Sequence, residues 1–437
     1  MIIKEKEDKK IVAGVIGLGY VGLPLAMLFI KNDVLTYGFD IDQEKINMLV
    51  KGESYIGHIK SDEIKEINKN LFYPTTDFSL VEKCDVLIIC VPTPLSSNRE
   101  PDLSYITETL SSIKPHLKKG QTISLESTTY PGTTKDILVK FIEDDGFIVG
   151  KDLYVVYSPE REDPGNKKFD VSTIPKIVSG HTKNCLEKGT FIYSKIVNNI
   201  IPVSSTEAAE MAKLLENIYR SINIGLVNEM KILANTMNID IFEVINAAAT
   251  KPFGFSAFYP GPGIGGHCIP IDPFYLTWKA REYGVNTKFI ELAGEFNKEM
   301  PKYVVSRTSE GLNRNKKCIN GSKILILGLA YKKNIDDQRE SPSIDIMEIL
   351  RKEGAIIEYA DPYIPKFKKM RSHSFDLESV KLTPKKIESY DAVIISTDHD
   401  IFDYDLIINN SKLVVDSRGK YSSGKYKNKK FKNLIKS

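Results

Sequence analysis

Cys268 stands in Gly265-Gly266-His267-Cys268-Ile269-Pro270-Ile271-Asp272, with glycines before it and a carboxylate four positions after it. A thiolate in such a setting can add to an aldehyde to give a thiohemiacetal; loss of a hydride then leaves a thioester, which water hydrolyses. Glycines let a substrate come close to the backbone, which makes Gly265 a candidate substrate contact. By residue type alone a cysteine is more often a small buried hydrophobe, so the reactive reading leans on these neighbours and on a cofactor signature elsewhere in the chain. His267 is not taken as the base, because sequence neighbours need not point the same way.

Lys213 and Asn217 are spaced i, i+4 in a helical run and share a face, with Glu210 and Arg220 on the same stripe. A solvated polar face is the plainer reading. Read functionally, the ammonium and amide would hold an alkoxide or oxyanion that develops during oxidation and thioester hydrolysis. Glu160, in Ser158-Pro159-Glu160-Arg161, follows an apolar strand, at the edge where α/β sheets bind ligands.

The cofactor signature is Gly17-x-Gly19-x-x-Gly22, placed straight after the apolar run Ile11–Ile16. Gly17 permits the tight turn, Gly19 lets a pyrophosphate approach, and Gly22 lets the helix pack on the strand. The helix N-terminus then offers unpaired N–H groups to the phosphates. The next strand ends in Asp40, eighteen residues after Gly22, where a carboxylate accepts from ribose hydroxyls and repels a 2′-phosphate. The expected cofactor is therefore NAD rather than NADP. A glycine-rich turn that binds nothing, with Asp40 only capping its strand, is the alternative.

The elements that must carry these groups follow from pattern. Strands are expected at Ile11–Ile16, Leu35–Phe39, Asp85–Val91, Thr122–Glu126 and Tyr154–Tyr157, with helices such as Pro24–Lys31 and Gln43–Lys51 between them. That alternation implies a parallel, doubly wound sheet. Ser204 and Glu207 make a capping-box pattern ahead of a long helix over Ala208–Ala234, followed by a shorter one near Phe242–Ala249. The Pro/Gly-rich stretch from Pro252 to Pro273 reads as a functional loop. A second α/β unit starts at Lys323: strands are expected at Ile324–Leu327, Ile356–Ala360, Ala392–Ser396 and Leu413–Val415, and a helix starts at Ser341-Pro342.

With 60 basic and 57 acidic residues nearly cancelling, no nucleic-acid partner is expected. Five scattered cysteines are not a disulfide framework, and six dispersed histidines offer no metal spacing, so a reducing cytoplasm is expected and no metal. Residues Ile11–Ile30 carry no charge, but their glycines and Pro24 suit a strand, turn and helix better than a signal peptide or membrane span. The Lys-rich C-terminus (Lys425, Lys427, Lys429, Lys430, Lys432) is expected to be solvated and poorly ordered.

Assembled, these residues resemble the UDP-glucose/GDP-mannose dehydrogenase family along nearly the whole chain. The matching stretches are Gly17-Leu-Gly-Tyr-Val-Gly-Leu-Pro-Leu25, Val91-Pro-Thr-Pro94, Glu126-Ser-Thr128, Ser158-Pro-Glu-Arg161, Lys213-Leu-Leu-Glu-Asn217, Gly263 through Asp272, and Gly328-Leu-Ala-Tyr-Lys332 with Arg339-Glu-Ser-Pro342. The resemblance implies an α/β fold of two Rossmann-like doubly wound domains joined by a central helical domain with one long helix. It implies an NAD-binding domain over 1–203, a helical dimer-forming and catalytic domain over 204–315, and a UDP-binding domain over 316–437.

Carried over residue by residue, it makes Cys268 the nucleophile, Lys213 and Asn217 the oxyanion or water stabilisers, and Asp272 the assisting base. Glu160 and Thr128 would position water and the reacting alcohol. Tyr20, Val21, Asp40, Lys45, Thr93 and Thr128 would touch NAD; Arg161, Arg220, Tyr331, Lys332 and Arg339 would bind the nucleotide sugar, cations suiting a pyrophosphate. The partners implied are a UDP-sugar and a second copy of the chain docked through the central helix, with no membrane. Pro164 and Ile271 depart from the UDP-glucose pattern, where Glu and Lys commonly stand, whereas Ser158–Asn166 and Cys268–Trp278 look like the branch acting on UDP-N-acetylhexosamines, particularly UDP-N-acetylglucosamine; UDP-N-acetylmannosamine, UDP-N-acetylgalactosamine and UDP-glucose are the alternatives for the same chemistry. A two-electron 3-hydroxyacid dehydrogenase shares the fold type and a helix-borne Lys/Asn pair, but needs neither Cys268 nor a second nucleotide domain. A non-catalytic NAD- or nucleotide-sugar-sensing module would need no Cys268, Lys213 and Asp272 together.

Overall fold

The computed structural model describes residues 10–57, 59–67, 70–96, 100–161, 172–266, 269–368, 370, 374–427 and 429–437. They form two compact units, one of Met1–Glu216 with Trp278–Val285 and one of Asn217–Thr277 with Asn286–Ser437.

In the first unit the elements run β1 (Val12–Ile16), α1 (Gly22–Lys31), β2 (Leu35–Phe39), α2 (Gln43–Lys51), α3 (Ser61–Glu66), β3 (Phe72–Thr75), β4 (Val86–Ile89), α4 (Ser104–Ile113), β5 (Thr122–Leu125), α5 (Lys140–Asp144), β6 (Tyr154–Tyr157), β7 (Lys176–Gly180), α6 (Lys183–Tyr193) and β8 (Ile200–Pro202). The sheet order is β3-β2-β1-β4-β5-β6-β7-β8. Every pairing is parallel except β6 with β7. That exception places the first residue of β7, Lys176, at the carboxyl edge of the parallel strands. Both faces are covered: on β4, Val86 and Ile88 join one apolar layer while Leu87 and Ile89 join the other. Burial on both sides is why these strands read as continuous apolar runs rather than alternating ones.

Helix α7 (Thr206–Thr236) runs 31 residues. Its start is capped by Ser205, whose Oγ accepts from Ala208 N at 3.1 Å, one residue later than the Ser204 expected from the sequence. The second unit continues with α8 (Ile241–Ala248), α9 (Asp272–Glu282, whose last residues belong to the first unit), α10 (Lys288–Arg314), β9 (Lys323–Leu327), α11 (Pro342–Lys352), β10 (Ile356–Ala360), α12 (Pro384–Glu388), β11 (Ala392–Ile395), α13 (Tyr404–Asn410), β12 (Val414–Asp416) and β13 (Leu434–Lys436). Its all-parallel sheet has the order β10-β9-β11-β12-β13. Again the central strand feeds two layers, Ile324 and Ile326 to one and Leu325 and Leu327 to the other.

The architecture is thus the expected pair of parallel-sheet α/β domains with a helical segment between them. The C-terminus corrects one expectation. Its five lysines are exposed, as expected, but the tail is not loose: β13 pairs with β12, Ile435 is buried, Lys425 pairs with Asp405, and Ser437 N donates to Asp416 O. The apolar Leu434-Ile435 at its end completes the sheet, which the run of lysines before it obscures. Among the described residues no helix is long and apolar enough to cross a membrane.

Candidate active site

The glycine turn after β1 has the form a dinucleotide needs. Gly17 sits at φ +91°, and a Cβ there would lie 2.8 Å from Cys90 O. A Cβ on Gly22 would fall 1.9 Å from Gly17 O, so helix α1 can approach only without one. Among the described residues a Cβ on Gly19 would meet nothing within 4 Å, which leaves an open approach above the turn for a pyrophosphate. Asp40, just past β2, accepts from Leu18 N (2.9 Å), Asp42 N (3.0 Å) and Lys45 Nζ (3.2 Å). Lys45 also lies over the ring of Tyr55, whose hydroxyl donates to Leu18 O, so acid, lysine and turn form one connected wall. Tyr20 and Val21 lie half-buried at the start of α1. Thr93 Oγ1 donates to Thr128 O at 2.8 Å, joining two expected cofactor contacts across the ends of β4 and β5. These residues fit NAD.

On the same carboxyl edge, Glu160 and Arg161 line a partly open cavity together with Val21, Leu25, Glu126, Pro159, Ile174, Pro175 and Lys176. Lys213 meets Glu160 from α7. Its Nζ donates to Glu160 O at 2.5 Å and stands 3.6 Å from the Glu160 carboxylate. Burial pushes the Glu160 carboxyl up, against the downward pull of Lys213 and then Lys176. A carboxylate whose affinity for protons is raised, beside a buried ammonium, can hold or take a proton. Lys213 is only 5% exposed, so the solvated-face reading of its stripe does not hold at this position.

Glu210, one turn earlier, is buried for another reason. It accepts from Gly132 N, Thr134 N and Thr134 Oγ1 at 2.6–2.8 Å and ties α7 to the loop after β5. Burial raises its carboxyl to about 7 against those three bonds. Arg220 is exposed, and Arg161 pairs with Glu216 (2.6 Å) and Pro175 O (2.7 Å).

In the second unit, Asn217 Nδ2 donates to Asp272 Oδ2 at 2.5 Å, joining two more expected site residues; Asp272 is 2% exposed and opens α9. The loop before Cys268 packs on the loop after β9: Gly266 N donates to Arg339 O (3.1 Å), and a Cβ on Gly265 would sit 2.6 Å from Tyr331 Cβ. Arg339 is held against Asp337 by Nε and Nη2, the latter at 2.6 Å, and Lys332 is half-buried. Cys268 and His267, and Pro164 of the departure noted above, lie outside the described residues.

The turn after β9 differs from the one after β1 in a way that bears on the ligand. Leu329 N and Ala330 N both donate to Asp361 Oδ2, at 2.7 and 3.0 Å, and His399 Nε2 reaches the same oxygen at 3.0 Å. His399 Nδ1 accepts from Asn334 N, which fixes the neutral tautomer with its proton on Nε2. Burial alone would raise the Asp361 carboxyl, but the bonds from His399 and the turn amides hold it below its ordinary value. Those two amides are thus not available to a ligand at this turn. A cation that the sequence pattern did not single out is Arg418, just past β12, which donates through Nε to Ser396 O (2.7 Å), and a Cβ on Gly261 would lie 2.7 Å from its Nη1. A cation directly after a strand of the second sheet was the available signal.

Family comparisons agree with this division. The UDP-glucose/GDP-mannose dehydrogenase family's NAD binding domain matches residues 10–197, its central domain residues 207–299 and its UDP binding domain residues 325–423. The chain belongs to the UDP-glucose/GDP-mannose dehydrogenase family.

As a member of that family the dehydrogenase uses NAD. It is 36% identical to the UDP-N-acetyl-D-glucosamine 6-dehydrogenase of Pseudomonas aeruginosa over 396 residues, 90% of this chain and 92% of that protein. It is 35% identical to a UDP-N-acetyl-D-mannosamine dehydrogenase of Methanococcus maripaludis over 395 residues, 89% of this chain and 86% of that one. Among solved structures, the UDP-D-ManNAc dehydrogenase from Pyrococcus horikoshii superposes with a TM-score of 0.86 at 29% identity, covering 97% of this chain and 98% of its own.

Proposed function

We propose that this nucleotide-sugar dehydrogenase oxidises the C6 hydroxymethyl of UDP-N-acetylglucosamine to the carboxylate, with two NAD reduced per acid formed. NAD, when bound, accepts one hydride in each of the two oxidations. The observation that carries the reading is the buried contact of Lys213 with Glu160, which couples a cation to a proton acceptor at the carboxyl edge of the cofactor domain. In this reading Glu160, with Thr128 and ordered water, draws the proton from the C6 hydroxyl as the carbon is oxidised. Cys268 adds through sulfur to the resulting aldehyde; the second oxidation leaves a thioester on that sulfur. Lys213 and Asn217 stabilise the oxyanion, and Asp272, bonded to Asn217, assists the water that releases the acid. Tyr331, Lys332, Arg339, Arg161, Arg220 and Gly265 would hold the nucleotide sugar, with Arg418 added from its position after β12.

Relatives named for the gluco and manno substrates are almost equally similar, and the two sugars differ only in the orientation of one ring substituent. The gluco assignment rests on the Ser158–Asn166 and Cys268–Trp278 stretches. A homodimer is supported by a row of exposed apolar side chains along α7, including Leu215 (63%), Leu226 (54%), Met230 (40%) and Leu233 (52%), more than a helix facing water carries. A cytoplasmic location fits the NAD chemistry and the free cysteines.

The test is NADH release against a panel of UDP-sugars. UDP-N-acetylglucosamine should give the highest kcat/KM, with two NADH per acid, and Cys268→Ala should form no acid. A ratio of one NADH, or free aldehyde as end product, would defeat the four-electron mechanism; preference for the manno epimer would move the substrate alone.

A further inference from the structure

The cofactor cavity contains an ion pair that none of the assigned roles uses. Lys176 Nζ lies 3.0 Å from Glu126 Oε2, with side chains 8% and 1% exposed. Tyr193 donates its hydroxyl to Glu126 Oε1 (2.6 Å) and shares a hydrogen bond with Ser124 Oγ (2.8 Å). Burial and the nearby Glu126 charge keep the Tyr193 phenol protonated, so it stays the donor. The ammonium also sits 4.9 Å above the Tyr193 ring. Burying two charges costs desolvation that their attraction does not reliably recover, and apolar residues of similar volume commonly serve stability as well or better. A pair kept at a cavity wall is therefore a candidate for function rather than a stabilising brace.

Its place in the sheet says which part of the cofactor it meets. Asp40 follows β2, on one side of the glycine turn after β1; Glu126 follows β5, two strands beyond β1 on the other side, and Lys176 enters the same edge because β7 runs antiparallel. From β2 to β5 is three strand spacings, roughly 14 Å at about 4.8 Å each. A dinucleotide whose pyrophosphate sits at the turn and whose adenosine ribose reaches Asp40 extends its other nucleoside toward Glu126 and Lys176. Besides Glu160 and Arg161, the remaining wall is Val21, Leu25, Pro159, Ile174 and Pro175, whose apolar surface suits the face of a flat ring.

We propose that Glu126 and Lys176 form the receptor for the nicotinamide carboxamide of NAD, the carboxylate accepting from its NH2 and the ammonium donating to its C=O. Capacity is present on both sides. Glu126 uses two of roughly four lone-pair sites, and Lys176 has three donors for the single acceptor that the described residues give it. An amide presents one donor group and one acceptor, and adjacent charges of opposite sign match both and fix which way the ring is turned. Lys176 and Glu126 act here as positioning residues; neither takes part in proton or hydride transfer.

The experiment compares ligands that differ only at this end, by calorimetric titration. ADP-ribose carries the adenosine, pyrophosphate and second ribose without nicotinamide; 3-acetylpyridine adenine dinucleotide keeps the ring carbonyl but has methyl in place of NH2. The double variant Glu126→Gln/Lys176→Met removes both charges together, so no buried ion is left without a partner. It should bind ADP-ribose within about threefold of the wild type, bind NAD about ten- to a hundredfold more weakly (about 1.4 to 2.8 kcal/mol at 1.4 kcal/mol per tenfold) and lose the preference for NAD over the acetylpyridine analogue. ADP-ribose binding also reports that the cofactor domain is folded; should the double variant not fold, Glu126→Gln alone should shift NAD, and not ADP-ribose, in the same direction. Equal weakening of NAD and ADP-ribose, or unchanged NAD affinity, overturns the assignment.

Discussion

Lys213→Met tests the chemistry at its most exposed assumption, that the buried ammonium stabilises charge that develops on the substrate. The side chain is 5% exposed and held by the Glu160 carbonyl at 2.5 Å and carboxylate at 3.6 Å, so methionine fills its path but leaves Glu160 without its nearest cation. Two effects follow. Loss of one preorganised donor at a developing oxyanion typically costs about 10²–10³ in kcat, or roughly 2.7–4 kcal/mol. The Glu160 carboxyl, already pushed up by burial, rises further once the largest opposing influence is gone. If Glu160 must be ionised to take the proton, the acid limb of the kcat profile moves to higher pH.

Stability has to be separated from catalysis, because removing one partner of a buried pair commonly destabilises by about 3–5 kcal/mol. The double variant Lys213→Met/Glu160→Gln removes both charges and should regain most of that stability while recovering no activity. The assay is steady-state NADH formation from pH 6 to 9 with saturating NAD and UDP-sugar, alongside NAD titration and urea unfolding. The reasoning predicts kcat down by two to three orders of magnitude at neutral pH, NAD affinity within about threefold of wild type, and the shifted acid limb. A folded Lys213→Met protein with kcat within threefold of wild type would refute it.

Three other perturbations read single features. Asp40→Ala removes the acceptor of Leu18 N and Lys45 Nζ and should weaken NAD about ten- to a hundredfold, at roughly 1.5–3 kcal/mol for a hydrogen bond to a charged group, while narrowing the preference over NADP; unchanged titration curves would take Asp40 out of cofactor recognition. Gly22→Ala sets a Cβ 1.9 Å from Gly17 O, so the turn must open and NAD binding should be lost with the far-UV spectrum retained; normal binding would mean the turn is looser than its geometry. Lys231 is 1% exposed, donates to Ser417 O at 3.0 Å, and is lowered to about 7 by burial, with Asp416 pulling upward and Arg418 downward. Between pH 7 and 10.5 the folded state therefore binds fewer protons here than the unfolded chain, and stability gains with rising pH. The urea midpoint of wild type should climb relative to Lys231→Met from pH 6.5 to 9.5, and a flat difference would contradict the burial cost.

What the sequence made legible and what it hid divide by distance along the chain. The Gly17–Gly22 turn, Asp40 and the i, i+4 pair on α7 all follow from local spacing, because a turn, a strand end and a helical face are set by neighbours within a few residues. Glu126 was visible only as part of a motif and Lys176 was not visible as a site residue at all, since they meet across fifty positions through an antiparallel strand in an otherwise parallel sheet. Glu210 shows the same limit from the opposite side: its stripe announced a polar face, yet its carboxylate is occupied by Gly132 and Thr134, while Lys213 one turn on faces Glu160. Period tells which residues share a face; only the fold tells which of them meet a partner, and which partner.

The two glycine turns carry that argument into ligand choice. Both follow the first strand of a parallel sheet, and each has an acid just past the neighbouring strand, Asp40 in one and Asp361 in the other. Asp40 takes one turn amide and leaves the approach above Gly19 open; Asp361 takes two, is anchored by neutral His399, and a Cβ on Gly328 would strike Thr397 at 2.4 Å. A similar local arrangement therefore yields a phosphate cradle in the first domain and a closed turn in the second. On the proposed reading, Lys332, Arg339 and Arg418 would supply donors for the diphosphate of the nucleotide sugar, and the reach of such side chains is adjustable in a way that backbone amides are not. That reading would give one chain a cofactor site built from main chain and a sugar-nucleotide site built from cations, a division of labour suited to holding an unvarying dinucleotide against a more variable sugar.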